Sequence, residues 1–227
     1  MDQSSHYYSG RLSADRLRRC YDIAPPRVRQ YLEAELDFVL QKIRRNDLVL
    51  ELGCGYGRIL PALAANARGV VGVDNSISSL LYGRKSLRRM SHCFLVQMDA
   101  VRLSFRDHAF DLVVCIQNGI SAFHVNQREL ILESIRVARK GAIILFSSYS
   151  ERFWEHRMDW FRRQADAGLL GKIDDEKTRD GVIVCRDGFT ASTVSRDRFL
   201  ELTAGLHVRT NIVEVDESSL FCEMVCR

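Results

Sequence analysis

Hydrophobic and polar positions follow two periods along this chain, and the period switches repeatedly. Through "RVRQYLEAELDFVLQKI" (27–43), Val28, Leu32, Leu36, Val39 and Ile43 recur at helical spacing. Pro25-Pro26 stands just ahead, where proline is tolerated in a first helical turn, so an amphipathic helix is predicted. Short apolar runs then alternate with helical patterns. "DLVLEL" (47–52), "GVVGVD" (69–74), "CFLVQM" (93–98), "FDLVVCI" (110–116) and "AIILFSSY" (142–149) read as strands. The fourth run is continuous in apolar character, which fits a strand buried on both faces. Helices are predicted over 58–66, from an N-capping Ser76 to about Arg89, and over 126–139. In the last, Leu130, Ile131, Ile135 and Ala138 face inward and Gly141 follows as the cap.

After residue 150 the pattern changes. "ERFWEHRMDWFRRQADAGLL" is helical, with Trp154, Met158, Phe161 and Ala165 on one face. Trp160 lies off that face and marks a second contact surface. Residues 181–194 read as a short hairpin around Asp187-Gly188. A helix over 195–205, with a Ser N-cap and a Gly end, precedes two strands joined by "DESS", close enough to pair antiparallel. Strands alternating with helices imply parallel pairing through right-handed crossovers. The expected fold is α/β: a doubly wound, mostly parallel, seven-stranded Rossmann-like sheet with an antiparallel last strand and a small insert after the fifth. One domain is expected, with a helical cap over 1–45, a core over 46–149, an insert over 150–194 and a closing unit over 195–227.

Composition narrows this little. The chain has 227 residues, 46% hydrophobic and 27% charged, which suits one ordinary globular domain. No apolar stretch approaches the ~20 residues that span a bilayer. The first twenty residues lack the apolar core of a signal peptide, so a cytoplasmic protein without a membrane partner is expected. Seven cysteines, an odd number without a CxxC pair, argue against a disulfide framework and a structural zinc site. The net charge of +4 reflects a basic first half, read as solvated helix faces with Arg pairs near helix ends.

The informative stretch is "VLELGCGYGRIL" (49–60). Glycine weakens a strand end unless a ligand needs the backbone close. A strand, a glycine turn and a helix start together make a ligand cradle. A dinucleotide site wants G-x-G-x-x-G, but Arg58 stands where its third glycine belongs. Glu51, two residues before Gly53, would repel a pyrophosphate and points to a cation or amine. A positively charged adenosyl ligand satisfies both observations. Asp74 ends the second strand 21 residues after Gly53, where an acid can accept ribose hydroxyls, and Asp99 ends the third.

These segments resemble the class I S-adenosylmethionine-dependent methyltransferases, with "VLELGCGYGRILPALA" similar to motif I and "FDLVVCIQNGI" to motif IV. The resemblance is firm over roughly residues 26–148. It implies S-adenosylmethionine as cofactor and a site of Glu51, Gly53, Cys54, Gly55, Gly57, Asp74, Asn75, Asp99, Ala100 and Ile116. Glu51 would lie near the cofactor's amino group, and Asp99 and the Ala100 N–H would take the adenine. After the fourth strand, Gln117-Asn118-Gly119 replaces the Asn/Asp-Pro-Pro-aromatic run of enzymes acting on base or glutamine amines, and no Pro-Cys pair occurs. The resemblance therefore turns from nucleic acid toward a small-molecule acceptor. An RNA or protein methyltransferase and a non-catalytic adenosyl-binding protein are the alternatives.

Methyl transfer from a sulfonium needs positioning more than a catalytic triad. Acceptor contacts are expected from an N-terminal arm (Tyr7, Tyr8, Tyr21), from Gln117, Asn118 and His124 after strand four, and from Trp154, His156, Arg157 and Trp160 in the insert. His124, His156 and Tyr21 are the candidate bases.

Overall fold

The computed structural model describes residues 7–227; the side chains of residues 8 and 9, and so the expected contact from Tyr8, lie outside the description. The chain opens with α1 (Tyr7–Gly10), α2 (Ala14–Asp22) and α3 (Pro26–Leu40). The core follows as β1 (Leu48–Leu52), α4 (Leu60–Asn66), β2 (Gly69–Asp74), α5 (Ile77–Leu87), β3 (Cys93–Gln97) and β4 (Phe110–Cys115). A short α6 (Gly119–Ala122), α7 (Gln127–Val137) and β5 (Ala138–Tyr149) complete it. The insert holds a 3-10 turn (Glu151–Phe153), α8 (Trp154–Asp166) and a small hairpin of β6 (Ile183–Val184) and β7 (Thr190–Ala191). The chain closes with α9 (Arg196–Thr203), β8 (Val208–Val215) and β9 (Ser219–Cys226).

Seven strands form one sheet in the order β3-β2-β1-β4-β5-β9-β8. The first five pair in parallel, and β9 runs antiparallel to both β5 and β8. The expected doubly wound fold is therefore present. Its strand order reverses between β1 and β4, and a cleft opens at the carboxyl ends there. Val49, Leu50, Val113, Val114, Ile144 and Leu145 are fully buried, because helices cover both faces of this central region.

Two local expectations differ from the structure. Helix α7 ends at Val137, and Ala138 already belongs to β5. Gly141 is not a helix cap: it sits inside β5 at φ +79, where the register with β4 slips between Phe110 and Leu112. Glycine tolerates the left-handed backbone that such an irregularity demands. The apolar stripe of α3 also carries an intruder, since Glu35 is fully buried beside Val28, Tyr31, Leu32 and Val39.

The N-terminal helices and the insert form a single cap. Tyr7, Leu12, Cys20, Val28 and Tyr31 share one hydrophobic cluster with Phe153, Met158, Trp160, Phe161 and Phe189. Arg157 of α8 is wholly buried within it and donates to the carbonyls of Gly181 (2.8 Å) and Ala191 (2.7 Å), tying helix to hairpin. Its guanidinium lies 4.5 Å from the Tyr149 ring centroid and 5.5 Å from that of Phe161.

Helix α5 presses on the glycine turn through Gly83, where an added Cβ would lie 2.2 Å from the Tyr56 carbonyl oxygen. An exposed helical Gly→Ala change ordinarily gains about 1 kcal/mol. Gly83→Ala is expected instead to lose about 1–3 kcal/mol through overpacking. Urea denaturation checks this; an unchanged or raised midpoint would contradict the close approach.

Candidate functional site

The glycine turn leaves β1 with Gly53, Gly55 and Gly57 at φ +70, +55 and +76, a region that disfavours side chains. The turn is fastened to β2 at two points. Cys54 N–H donates to the Val73 carbonyl (2.9 Å), and Gly55 N–H donates to Asp74 Oδ2 (2.8 Å). Asp74 Oδ1 accepts from the Ser76 N–H (2.7 Å) at the start of α5, so one carboxylate joins turn and helix. Burial pushes its carboxyl upward, against these two hydrogen bonds. A Cβ on Gly53 would meet the Phe123 ring at 2.4 Å, so the backbone there is open only because it is bare. Gly57 does not line the cleft; its missing side chain makes room for Leu60 and Leu87.

The main cleft divides into two halves. At the strand ends it is lined by Gly53, Gly55, Asp74, Asn75, Asp99, Ala100 and Ile116, with Ser76 and Met98 between them. Asp99 is exposed and its Oδ1 accepts from the Val101 N–H (3.0 Å). Under the cap the lining is Leu12, Cys20, Tyr21, Tyr149, Trp160, Phe161, Gln164 and Phe189, and Gln117 also lines the cleft.

A smaller cavity adjoins the cleft through Gly53, Gly55, Tyr21 and Gln117, and it contains Glu51, Cys54, Tyr56 and Arg58. Glu51 Oε2 and one terminal nitrogen of Arg58 are both buried without a hydrogen-bond partner. Burial pushes the Glu51 carboxyl up to about 8, with Arg58 opposing the shift and Asp74 adding to it. A buried carboxyl oxygen and a buried guanidinium nitrogen without hydrogen-bond partners in one cavity are costly unless a ligand supplies those partners.

The loop after β4 is strained and tightly held. Gln117 and Asn118 have φ +56 and +62, which costs roughly 1–3 kcal/mol each for residues with side chains. Glu35 offsets this by accepting the Gln117 N–H (2.9 Å) on one oxygen and the Ser219 hydroxyl (2.8 Å) on the other. Burial raises the Glu35 carboxyl to about 7 despite these donors. The Gln117 side chain is fixed in turn, its Oε1 accepting from Tyr21 Oη at 2.9 Å, while the Arg58 guanidinium sits 4.7 Å from the Tyr21 ring centroid.

Several expected acceptor residues stand elsewhere. Asn118 is buried behind the cleft, donating to the Ser192 carbonyl (2.8 Å) and accepting from Ser148 Oγ (2.8 Å), so its amide holds the loop. His124 is half-buried at φ +51 outside the cleft lining. His156 is exposed and packs on the outer side of the cap against Phe153, outside the cleft lining. Trp154 lies against Arg157, off the cleft. Trp160 does line it, and its indole N–H donates to the Cys20 carbonyl (2.9 Å), the second contact surface expected from the helical pattern. Tyr21 lines it too, but burial raises its phenol and Gln117 takes its proton in a hydrogen bond, which suits positioning more than base catalysis. Gln164, Tyr149, Phe161 and Phe189 line the cleft and are not among the acceptor contacts expected from the sequence. Gln164 follows Trp160 by one helical turn, and a polar residue on that apolar face was the available signal.

Residues 49–141 match the model of a methyltransferase domain family. A demethylmenaquinone methyltransferase of Clavibacter sepedonicus is 34% identical over 102 residues, 45% of this chain and 41% of that protein. A phosphatidylethanolamine N-methyltransferase of Cereibacter sphaeroides is 32% identical over 111 residues, 48% of this chain and 53% of that protein. The match thus spans about half the length of these curated relatives. Among solved structures, the N-methyltransferase NodS of Bradyrhizobium japonicum, in complex with S-adenosyl-L-homocysteine, superposes with a TM-score of 0.67 at 16% identity over 99% of both chains. The PH0226 protein of Pyrococcus horikoshii gives 0.66 at 20% identity over 98% of both. Residues 49–141 are thus similar to a methyltransferase domain, and the whole chain has the Rossmann-like fold of the solved S-adenosylmethionine-dependent methyltransferases.

Proposed function

We propose that this chain is an S-adenosylmethionine-dependent methyltransferase acting on a small-molecule acceptor. The observation that carries the cofactor is the pair of unpartnered buried atoms, Glu51 Oε2 and one terminal nitrogen of Arg58, in one cavity beside the glycine turn. An amino-acid tail with an ammonium and a carboxylate matches that pair. Asp74 is the acid available to ribose hydroxyls, since each of its oxygens has a lone pair beyond its backbone bond. Asp99 and the Ala100 backbone are the groups available to the adenine. When bound, the cofactor supplies a methyl group already activated for in-line displacement.

The chain's own contribution is placement and the exclusion of water. Gln117, held by Glu35 and Tyr21, fixes a polar contact where the two halves of the cleft meet. The cap closes the acceptor half with aromatic rings. Burial holds the phenols of Tyr21 and Tyr149 well above neutrality, so neither is a base at pH 7. An acceptor that presents its own lone pair fits such a site. A small acceptor is supported by this covered cleft, and the relatives named for demethylmenaquinone and phosphatidylethanolamine agree with it.

Two expected outcomes follow from this reading. With Glu51 raised to about 8, the free protein holds its proton at pH 7, whereas an ammonium partner favours the carboxylate. Binding of S-adenosylhomocysteine should therefore release close to one proton at pH 7, and affinity should climb with pH and level off above 8. Calorimetry in buffers of differing ionisation heat measures this; Glu51→Gln should abolish the release and weaken binding at least tenfold. The same shift means that Glu51 favours the unliganded fold fully below the ordinary glutamate range and loses that contribution as pH rises through 8. No proton release, or unchanged affinity in the variant, would contradict the assignment of Glu51.

The acceptor is tested with methyl-labelled S-adenosylmethionine and a cell extract, with and without nuclease. Label in nuclease-resistant small molecules is expected. Label confined to RNA or protein would overturn the small-molecule reading.

A further inference from the structure

The cap half of the cleft carries a second, independent chemical signature. Five rings, Tyr21, Tyr149, Trp160, Phe161 and Phe189, line it. Among the described residues the acidic side chains lining the whole cleft are those of Asp74 and Asp99, no basic one lines it, and both acids belong to the strand-end half. The thiol of Cys20 is neutral there, because burial pushes it up to about 12. No carboxylate is on hand for a cationic acceptor, and the buried Arg157 guanidinium already lies within 6 Å of the Tyr149 and Phe161 ring centroids. A second cation on those rings would meet a like charge. An anionic acceptor would have to leave water for a wall of rings with no cation lining it.

One polar side chain in that wall is unspent. Gln164 of α8 is 3% exposed, lines the cleft, and its amide makes no hydrogen bond among the described residues. Trp160 beside it has committed its N–H to Cys20 and Tyr21 its hydroxyl to Gln117. A buried amide with a free donor and a free acceptor is costly in an empty protein and well suited to a neutral oxygen. Resting on the methyltransferase reading, we infer that the cap half takes an uncharged aromatic acceptor whose hydroxyl or carbonyl oxygen is hydrogen-bonded by Gln164. Rings stack on the aromatic wall, and the amide selects the orientation that turns the reacting atom toward the strand ends.

The test uses the full chain saturated with S-adenosylhomocysteine and three probes of one shape: 2-naphthol, 2-naphthoate and 2-naphthylmethylammonium. Calorimetry at pH 7.5 should show 2-naphthol binding at least tenfold more tightly than either charged probe. The nearly isosteric Gln164→Met should weaken 2-naphthol at least fivefold and leave S-adenosylhomocysteine affinity unchanged. Gln164→Glu should shift the preference toward the ammonium probe. Equal or tighter binding of a charged probe, no binding of 2-naphthol, or wild-type behaviour in both variants would overturn the inference. Failure of the wild type to bind S-adenosylhomocysteine would instead overturn the methyltransferase reading. Binding of that ligand with the wrong probe preference removes only the acceptor class.

Discussion

The cofactor half of this protein depends on one carboxylate. Asp74 ends β2, and its two oxygens hold the Gly55 N–H and the Ser76 N–H, so it clasps the glycine turn to the start of α5. The turn cannot hold itself, because three of its residues occupy a left-handed backbone with no side chains to pack. Charge-assisted bonds to backbone donors are among the stronger ones available, and one of this pair holds the turn that leaves β1, the strand beside the reversal of the sheet. The same acid faces the cleft. Under the proposed function, holding the turn and meeting a ribose hydroxyl fall to one carboxylate at this position.

A second node governs the cap half of the cleft. Glu35 draws α3, the end of β4 and the start of β9 onto one carboxyl group. Through the Gln117 N–H it stabilises two successive left-handed residues, and through Gln117 it sets the contact with Tyr21. The sheet and the cap meet at this acid. Both oxygens of Glu35 accept internal hydrogen bonds, whereas Glu51 Oε2 and one terminal nitrogen of Arg58 have no hydrogen-bond partner. That difference separates a structural buried acid from one waiting for a partner.

Much of the core was legible in the sequence because its signals are local. β1, β2, β3 and β4 fall within a residue or two of the apolar runs that announce them, and Ser76, Asn126 and Ser195 cap the helices that follow them. The strand-end residues from Gly53 to Ile116 were readable for the same reason: each follows a strand at a fixed offset. The acceptor side was not. Trp160 meets the Cys20 carbonyl across 140 residues of sequence, and Arg157 meets carbonyls of a hairpin it does not adjoin in the chain. Glu35 and Gln164 sit on apolar helix faces, and spacing alone cannot say whether a buried polar group has a partner. α2 was hidden by its charge, since "ADRLRRCYD" has only a narrow apolar edge. His124, His156, Trp154 and Asn118 have suitable chemistry in suitable segments, but local backbone geometry and the cap turn them away from the cleft.

Under the proposed function, the glycine turn, Glu51 and Arg58 hold a zwitterionic adenosyl cofactor in place of a dinucleotide. Calorimetric titration of the unliganded protein with S-adenosylmethionine, and separately with NAD under the same conditions, tests it most directly. Saturable binding of S-adenosylmethionine and no binding of NAD is the expected result. Binding of NAD without S-adenosylmethionine would contradict it.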